Sequence, residues 1–166
     1  MRVAFGLGSN LGDRIGHLRA AVSGLAAGGV DDVLVSSLYE TDPVGGPAQP
    51  DYLNAVAVGE TSMPAHELLT LAKSLEAEAQ RVRTVRNAPR TLDVDILALG
   101  DLVLHTDQLT VPHPRAHERA FVLVPWAEVD PDFVVPGLGE VARLADAVDA
   151  SGVRPGPAVP LGGPHG

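Results

Sequence analysis

Apolar and polar residues follow two repeats along this chain, one of two residues and one of three to four. The two-residue repeat is typical of half-buried strands, and the longer repeat is typical of amphipathic helices. Strands are predicted over residues 3–8, 33–39, 52–58, 91–97 and 132–136. Helices are predicted over residues 14–27, 64–80, 119–123 and 140–148.

The order of these elements indicates an α+β domain. Strands and helices do not alternate strictly, and Gly100-Asp101 lies between two apolar runs, which predicts a hairpin after the fourth strand. We therefore expect a ferredoxin-like fold, a largely antiparallel sheet with helices packed on its faces. Residues 1–150 are expected to form this single domain. Residues 151–166 are rich in Gly and Pro and have no apolar repeat, which predicts a loosely held tail.

Composition excludes several classes of protein. The 166 residues include no cysteine, so disulfides, thiolate catalysis and cysteine-bound zinc are ruled out. A net charge of −9 and an aromatic content of 4% argue against nucleic-acid binding. Neither a signal-peptide core nor an apolar run long enough for a membrane span is present, so we expect a soluble cytoplasmic protein without a membrane partner. The oligomeric state is left open, with a monomer favoured.

Two acids share one face of the fourth strand. Asp93 and Asp95 alternate with Leu92, Val94 and Ile96, so the carboxylates point to the side opposite the apolar residues. Their Cβ atoms would lie about 6–7 Å apart, given a rise of about 3.3 Å per residue. Like charges at that distance favour a cation, and Mg²⁺ binds one or two carboxylates together with waters and substrate phosphates. A solvated edge strand is the alternative explanation for an isolated pair.

A cluster of arginines immediately precedes these acids. Residues 81–90 contain four arginines and no acid, although the whole chain has 12 Lys and Arg against 21 Asp and Glu. Guanidinium groups beside a carboxylate pair are typical of a polyphosphate site, with a metal on one side and forked donors on the other. The cluster consists of Arg81, Arg83, Arg86 and Arg90.

Other motifs are incomplete or absent. The only lysine, Lys73, lies inside a predicted helix, so there is no Walker A loop, and no Gly-x-Ser-x-Gly elbow occurs. Gly6 to Gly12 resembles a dinucleotide fingerprint, but Leu11 occupies the third glycine position, which favours a turn leading into a helix. His113 and His117 have the spacing of a helical zinc pair, yet flanking prolines oppose a helix there.

A long loop leads into the third strand, where Tyr52 and Asn54 lie side by side on one face. An aromatic ring beside a carboxamide can hold a flat heterocycle, although a cross-strand packing pair is the commoner reason for such a pattern. The loop, residues 42–50, is long for a strand connection, and long loops of this kind are often functional.

Together these blocks resemble the family of 6-hydroxymethyl-7,8-dihydropterin pyrophosphokinases, enzymes of folate synthesis. The similarity extends over about residues 3–148 in the same order and spacing. Its most specific parts are the Arg-Thr-Leu-Asp-x-Asp and Val-Pro-His-Pro-Arg blocks. The blocks that carry it are 8–12, 39–41, 49–55, 81–83, 89–95, 109–115 and 119–121.

The resemblance implies transfer of the terminal diphosphate of ATP to the pterin hydroxymethyl oxygen, with release of AMP. Two Mg²⁺ ions would be held by Asp93 and Asp95, and the catalytic residues would be Arg81, Arg90 and Asp95. Residues implied to bind ATP are Glu76, Arg83, Ile96, His113 and Arg119. Residues implied to bind the reduced pterin alcohol are Thr41, Asp42, Val44, Tyr52, Asn54 and Phe121.

One block departs from the family pattern, because this chain has Arg86-Asn87-Ala88 where the family usually has Arg-Trp-Gly. Two other functions remain open from the residues alone. A metal-dependent phosphohydrolase could use the same acids without a pterin. A ferredoxin-like module could bind RNA through its arginines, although the negative net charge opposes this.

Overall fold

The computed structural model describes residues 1–10, 12–41, 51–81 and 92–161. The helices are α1 (Arg14–Gly28), α2 (Ala65–Arg81), α3 (Ala120–Val129) and α4 (Val141–Ala147), with a short 3₁₀ turn at Ala116–Glu118 before α3. The strands are β1 (Arg2–Ser9), β2 (Asp31–Val35), β3 (Tyr39–Thr41), β4 (Tyr52–Glu60), β5 (Asp93–Leu99), β6 (Leu104–His105), β7 (Thr110–Val111), β8 (Val134–Val135), β9 (Gly139–Glu140) and β10 (Val153–Pro155).

Within those residues the main sheet has the order β10-β3-β4-β1-β5, with β2 paired to the other end of β4. Every neighbouring pair in it is antiparallel. The succession β1-α1-β2/β3-β4-α2-β5, with β1 and β4 central, is the split βαβ arrangement. The prediction of an α+β, ferredoxin-like fold is confirmed.

The sheet separates two apolar layers. On one side α1 and α2 cover a layer that includes Phe5, Leu18 and Leu68, all fully buried. On the other side α3 and α4 cover a smaller layer centred on Trp126, whose ring centroid lies 5.3 Å from that of Phe133. No helix among residues 1–10, 12–41, 51–81 and 92–161 is both long and apolar enough to cross a bilayer.

Local signals fix the ends of α1 where the sequence predicts them. The Asp13 carboxylate accepts a hydrogen bond of 3.0 Å from the Gly16 N–H, which satisfies a free donor of the first turn. Gly29 follows the helix with φ of 119°, a left-handed conformation that glycine adopts without strain, and its N–H donates to the Leu25 carbonyl. This helix leads the chain back from the end of β1 to the start of β2.

An extra residue in β5 changes which side chains face each layer. Phe5 pairs with Ile96 and Ala4 pairs with Ala98, so Leu97 has no partner on β1 and forms a bulge. Ile96 accordingly packs with the α1/α2 layer, while both Leu97 and Ala98 pack with the α3/α4 layer. The bulge also turns the Leu97 carbonyl to the outer edge of the strand, where it accepts a hydrogen bond of 2.8 Å from the His113 N–H.

Two strand predictions are wrong in detail. The strand predicted over residues 33–39 is interrupted, because the Ser36 hydroxyl accepts a hydrogen bond of 3.0 Å from the Val56 N–H, a place in the ladder that a main-chain carbonyl would otherwise fill. A turn does form at Gly100-Asp101, but the arm after it does not return along β5. Strand β6 pairs instead with β7, since His113 already takes up the edge of β5.

The prediction of a loosely held tail is wrong for residues 151–161, which pack against the domain. Strand β10 pairs with β3 and so extends the sheet beyond the expected boundary at residue 150. Leu161 is 93% buried in the α1/α2 layer, and the Arg19 Nε donates to the Pro160 carbonyl at 3.1 Å. The sequence carried no sign of this because the pairing depends on the unpaired main-chain groups of β3 and not on any apolar repeat. Residues 162–166 lie outside the described residues.

Candidate active site

A cavity of about 550 Å³ opens on the α3 side of the sheet. It lies beside the C-terminal ends of β1 and β3 and the N-terminal ends of β4 and β5. It brings together residues that the sequence places far apart. The predicted site residues that line it are Thr41, Tyr52, Asn54, Asp93, Asp95, Arg119 and Phe121. Further residues in its wall are Gly6, Leu7, Gly8, Ala55, Arg115 and Val122.

The carboxylate pair stands at one side of this cavity. Asp93 and Asp95 both border it, which agrees with the alternation predicted for their strand. Asp93 is half-buried and Asp95 is exposed. Their partners across the ladder on β1 are Gly8 and Gly6, which have no side chains to fill the space beside the acids.

These two glycines form the floor of the cavity. Gly8 lies between Asn54 on β4 and Asp93 on β5, since it pairs with both. A Cβ on Gly8 would lie 3.3 Å from Asn54 Oδ1 and 3.8 Å from Tyr52 Cδ1. The strand predicted over residues 3–8 includes both glycines, and both do lie inside β1, where they leave room above the sheet. Their spacing of two residues on a predicted strand was the available signal.

On the opposite side of the floor lies a slot with polar and aromatic walls. The Asn54 Nδ2 donates a hydrogen bond of 2.8 Å to Thr41 Oγ1, and both side chains are largely buried. That bond fixes the carboxamide, so Asn54 Oδ1 is held near Gly8. Tyr52 and Phe121 supply the aromatic surfaces of the cavity.

Two arginines bring positive charge to the cavity from the segment before α3. The Arg119 guanidinium lies 5.7 Å from the Phe121 ring centroid, a favourable cation–π geometry that orients both side chains. Arg115 is largely exposed, and its Nε lies 3.6 Å from Glu118 Oε1. Arg115 was not predicted as a site residue, although it follows His113 in the block that carried the resemblance.

The proton position on His113 is fixed by its neighbours. His113 Nδ1 accepts a hydrogen bond of 3.1 Å from the Arg115 N–H, so in the neutral ring the proton lies on Nε2. Burial lowers the pKa of His113, the charges of Arg119 and Arg115 lower it further, and Asp95 acts in the opposite sense. A neutral ring that can donate from Nε2 therefore lies within electrostatic reach of Asp95.

Glu76 lies at the outer edge of β5, where its carboxylate accepts a hydrogen bond of 2.8 Å from the Val94 N–H. Val94 is the residue between the two acids, so this bond holds the strand that carries them. The Ile96 side chain is buried in the α1/α2 layer. Alternation along the strand turns the Ile96 main chain toward the same outer edge as that of Val94.

Several predicted residues cannot be placed. Arg83, Arg90, Asp42 and Val44 lie outside the described residues, and for Arg81 only the end of α2 is described. Within the described part of the chain, no group of three or more His, Cys, Asp or Glu side chains could hold a metal, so His113 and His117 gain no third ligand for zinc.

A family model agrees with the resemblance found in the sequence. The model described as 7,8-dihydro-6-hydroxymethylpterin-pyrophosphokinase matches residues 4–131. Among curated relatives, a Bacillus subtilis 2-amino-4-hydroxy-6-hydroxymethyldihydropteridine pyrophosphokinase is 49% identical over 124 residues, 74% of each chain. A Synechocystis protein of the same name is 39% identical over 161 residues, 95% of this chain and 82% of that one.

Solved structures agree on the fold. A crystal structure of a triple mutant of Plasmodium falciparum HPPK-DHPS superposes with a TM-score of 0.66 at 13% identity. The superposition covers 87% of this chain and 42% of that chain, so the present chain spans less than half of that protein.

Proposed function

The chain belongs to the 7,8-dihydro-6-hydroxymethylpterin-pyrophosphokinase family, and we propose that it transfers diphosphate from ATP to 6-hydroxymethyl-7,8-dihydropterin in folate synthesis. The products are the pterin diphosphate and AMP. The observation that carries the proposal is the single cavity that joins the carboxylate pair to the slot of Thr41, Asn54, Tyr52 and Phe121. One end of it suits a polyphosphate, and the other suits a flat heterocycle with polar edges.

The acidic end fits magnesium. Asp93 and Asp95 are adjacent carboxylates on one face of β5, and the described residues add no further acidic or imidazole group that would complete an all-protein site. Mg²⁺ favours such sites, since it binds one or two carboxylates and completes its shell with waters and phosphate oxygens. Asp93 and Asp95 would therefore hold the two expected ions, whose positive charge would neutralise the triphosphate.

The remaining charges of the nucleotide are assigned to arginines. Arg119 lines the cavity, and Arg81, Arg83 and Arg90 are proposed to join it through the segment before β5. His113, with its proton on Nε2, would donate to a nucleotide oxygen. The ATP contacts proposed for Ile96 must come from its main chain at the edge of β5, because its side chain is buried. Glu76 lies at that same edge.

At the other end, the pterin would lie between the rings of Tyr52 and Phe121. Asn54, oriented by Thr41, would bind the edge of the ring system, and Asp42 and Val44 are proposed to complete the slot. Transfer of a diphosphoryl group depends mainly on positioning and on charge stabilisation, with little covalent chemistry for the protein to perform. Holding both substrates against one glycine floor supplies that positioning and leaves little room for water beside the acceptor oxygen.

The test is an assay with ATP, Mg²⁺ and the reduced pterin alcohol, followed by chromatography of the nucleotides. We expect AMP and pterin diphosphate in equal amounts. Formation of ADP, or no AMP at all, would refute the proposal. Phosphate released from ATP without the pterin would instead indicate the phosphohydrolase. The cytoplasmic location and the monomeric state stay predictions.

A further inference from the structure

Four charged side chains meet where β3 ends and β4 begins, beside the slot. They belong to different parts of the chain: α1, the end of β3, the residue before β4, and the C-terminal strand β10. We call this group the terminal clamp, and it consists of Arg14, Glu40, Asp51 and Arg154. Arg154 lies beyond residues 4–131, the part of the chain that the family model matches.

Asp51 is held from two directions in the terminal clamp. Arg14 Nη1 donates to the Asp51 main-chain carbonyl at 2.8 Å, and it also lies 3.5 Å from Glu40 Oε1. Arg154 Nη2 donates to Asp51 Oδ2 at 2.8 Å. The side chains of Arg154 and Asp51 are 43% and 39% exposed, so neither is deeply buried.

The residues held by the terminal clamp directly precede two walls of the slot. Glu40 comes immediately before Thr41, and Asp51 comes immediately before Tyr52. Thr41 and Tyr52 are partners across the β3–β4 ladder, and Thr41 is also paired with Val153 of β10. A shift of Asp51 would therefore move the Tyr52 ring directly and, through Thr41, the carboxamide that Thr41 orients.

Stability alone does not account for this arrangement. Half-exposed ion pairs generally contribute little to the free energy of unfolding. Here, however, one arginine binds the main-chain carbonyl of Asp51 and a second binds the carboxylate of the same residue. The two contacts fix the position of Asp51 more than they raise the free energy of unfolding. The fixed position is the start of β4, where the chain enters the slot.

We propose that Arg154 is a positioning residue for the pterin, acting through Asp51 on Tyr52 and Thr41. This rests on the proposed function, since the slot must be the pterin site. The nucleotide end of the cavity lies on β5, separated from β3 by β4 and β1. Loss of the Arg154 contact therefore weakens binding of the pterin and leaves binding of ATP unchanged.

The experiment compares steady-state kinetics of the wild type with those of Arg154→Ala and Arg154→Lys. In Arg154→Ala we expect the KM for the pterin to rise about fivefold, the loss of one exposed ion pair converted to a ratio. The kcat and the KM for ATP should stay within about twofold. Arg154→Lys, which keeps a cation able to reach Asp51, should restore most of the affinity. Arg143→Ala, at an exposed arginine of α4, is the matched control and should change nothing.

Asp51→Asn tests the same contact from the other side and leaves β10 intact, so it serves if Arg154→Ala does not fold. It should raise the KM for the pterin and leave the KM for ATP unchanged. The double variant Asp51→Asn/Arg154→Ala should have a KM for the pterin no higher than that of the more affected single variant. Equal rises in both KM values, or an unchanged KM for the pterin in an active enzyme, would overturn the positioning role only. A wild-type protein that forms no AMP would overturn the proposed function, and the positioning role with it.

Discussion

Replacing Gly8 by alanine would add one methyl group to the floor of the cavity. Its Cβ would lie 3.3 Å from Asn54 Oδ1, 3.8 Å from Tyr52 Cδ1 and 3.9 Å from the Leu53 carbonyl oxygen. The first distance is tighter than most contacts that Cβ atoms make in proteins, whereas the other two are ordinary contacts. The Asn54 carboxamide must therefore move, although Thr41 holds its Nδ2 at 2.8 Å.

The effect on folding should be small. Gly8 lies inside β1 and has no positive φ, so alanine fits its backbone conformation. Alanine at a compatible glycine position stabilises a protein by about 0.4–1 kcal/mol, because it restricts the unfolded chain. This gain offsets the cost of the tight contact with Asn54. We expect the free energy of unfolding to change by less than about 1 kcal/mol.

The effect on binding should be larger. If the displaced Asn54 loses one hydrogen bond to the pterin, the cost is about 1–1.5 kcal/mol, or about tenfold in the KM for that substrate. In the proposed arrangement ATP binds at the other side of the floor, so its KM should be little changed. Steady-state kinetics with each substrate varied in turn, together with thermal unfolding, would measure both effects.

Gly152→Ala is the matched control, because a Cβ there meets nothing within 4 Å. It should leave both KM values unchanged. A Gly8→Ala enzyme with an unaltered KM for the pterin would show that Asn54 is not constrained as argued. A fall in melting temperature of many degrees would show that the methyl group disturbs the sheet and not the slot alone.

Three further changes test other parts of the molecule. Asp95→Ala should reduce turnover to less than about a tenth while leaving the far-ultraviolet circular dichroism unchanged, since loss of a metal ligand costs several kcal/mol of transition-state stabilisation; a more active variant would contradict that role. Glu76→Leu leaves the Val94 N–H unpaired and should lower the free energy of unfolding by about 1–3 kcal/mol in urea titrations, whereas Glu76→Gln, which keeps an acceptor, should retain most of it; equal losses would mean that the hydrogen bond is unimportant. Burial and the hydrogen bond to Glu128 raise the pKa of Tyr39 to about 12 from 10.0, so its contribution to stability is present below pH 10 and is lost as the pH rises toward 12. Absorbance titration should show a late phenol transition that Tyr39→Phe removes, and a Tyr39→Phe variant that keeps this late transition would contradict the assigned contact.

The parts of the fold set by short-range pattern were predictable from the sequence. The alternation from Leu92 to Ile96 correctly placed two acids on one face, and the cap at Asp13 and the glycine at residue 29 bound α1 where expected. In each case the determining contacts lie within a few residues of one another. Burial of an apolar face then favours the same strand or helix that the local residue preferences favour.

The parts that failed depend on contacts between distant segments. Nothing near Gly100 indicates that His113 will occupy the edge of β5, and nothing near Arg154 indicates that β3 offers an edge to pair with. Gly6 and Gly8 were placed in the first strand, in a stretch interpreted as a turn leading into a helix, and no role in the site was predicted for them. Their position opposite Asp93, Asp95 and Asn54 only becomes visible once the strand order is known.

The bulge at Leu97 makes the segment between Asp95 and the turn at Gly100 tolerant of losing one residue. Leu97 is the extra residue of the strand, so its loss would leave Asp95, Ile96, Ala98 and Leu99 in regular alternation and both acids on the cavity side. Loss of a second residue would rotate both acids from the cavity into the apolar layer beneath the sheet. Among natural variants of this enzyme, a segment shorter by one residue should therefore keep the site, and one shorter by two should be absent.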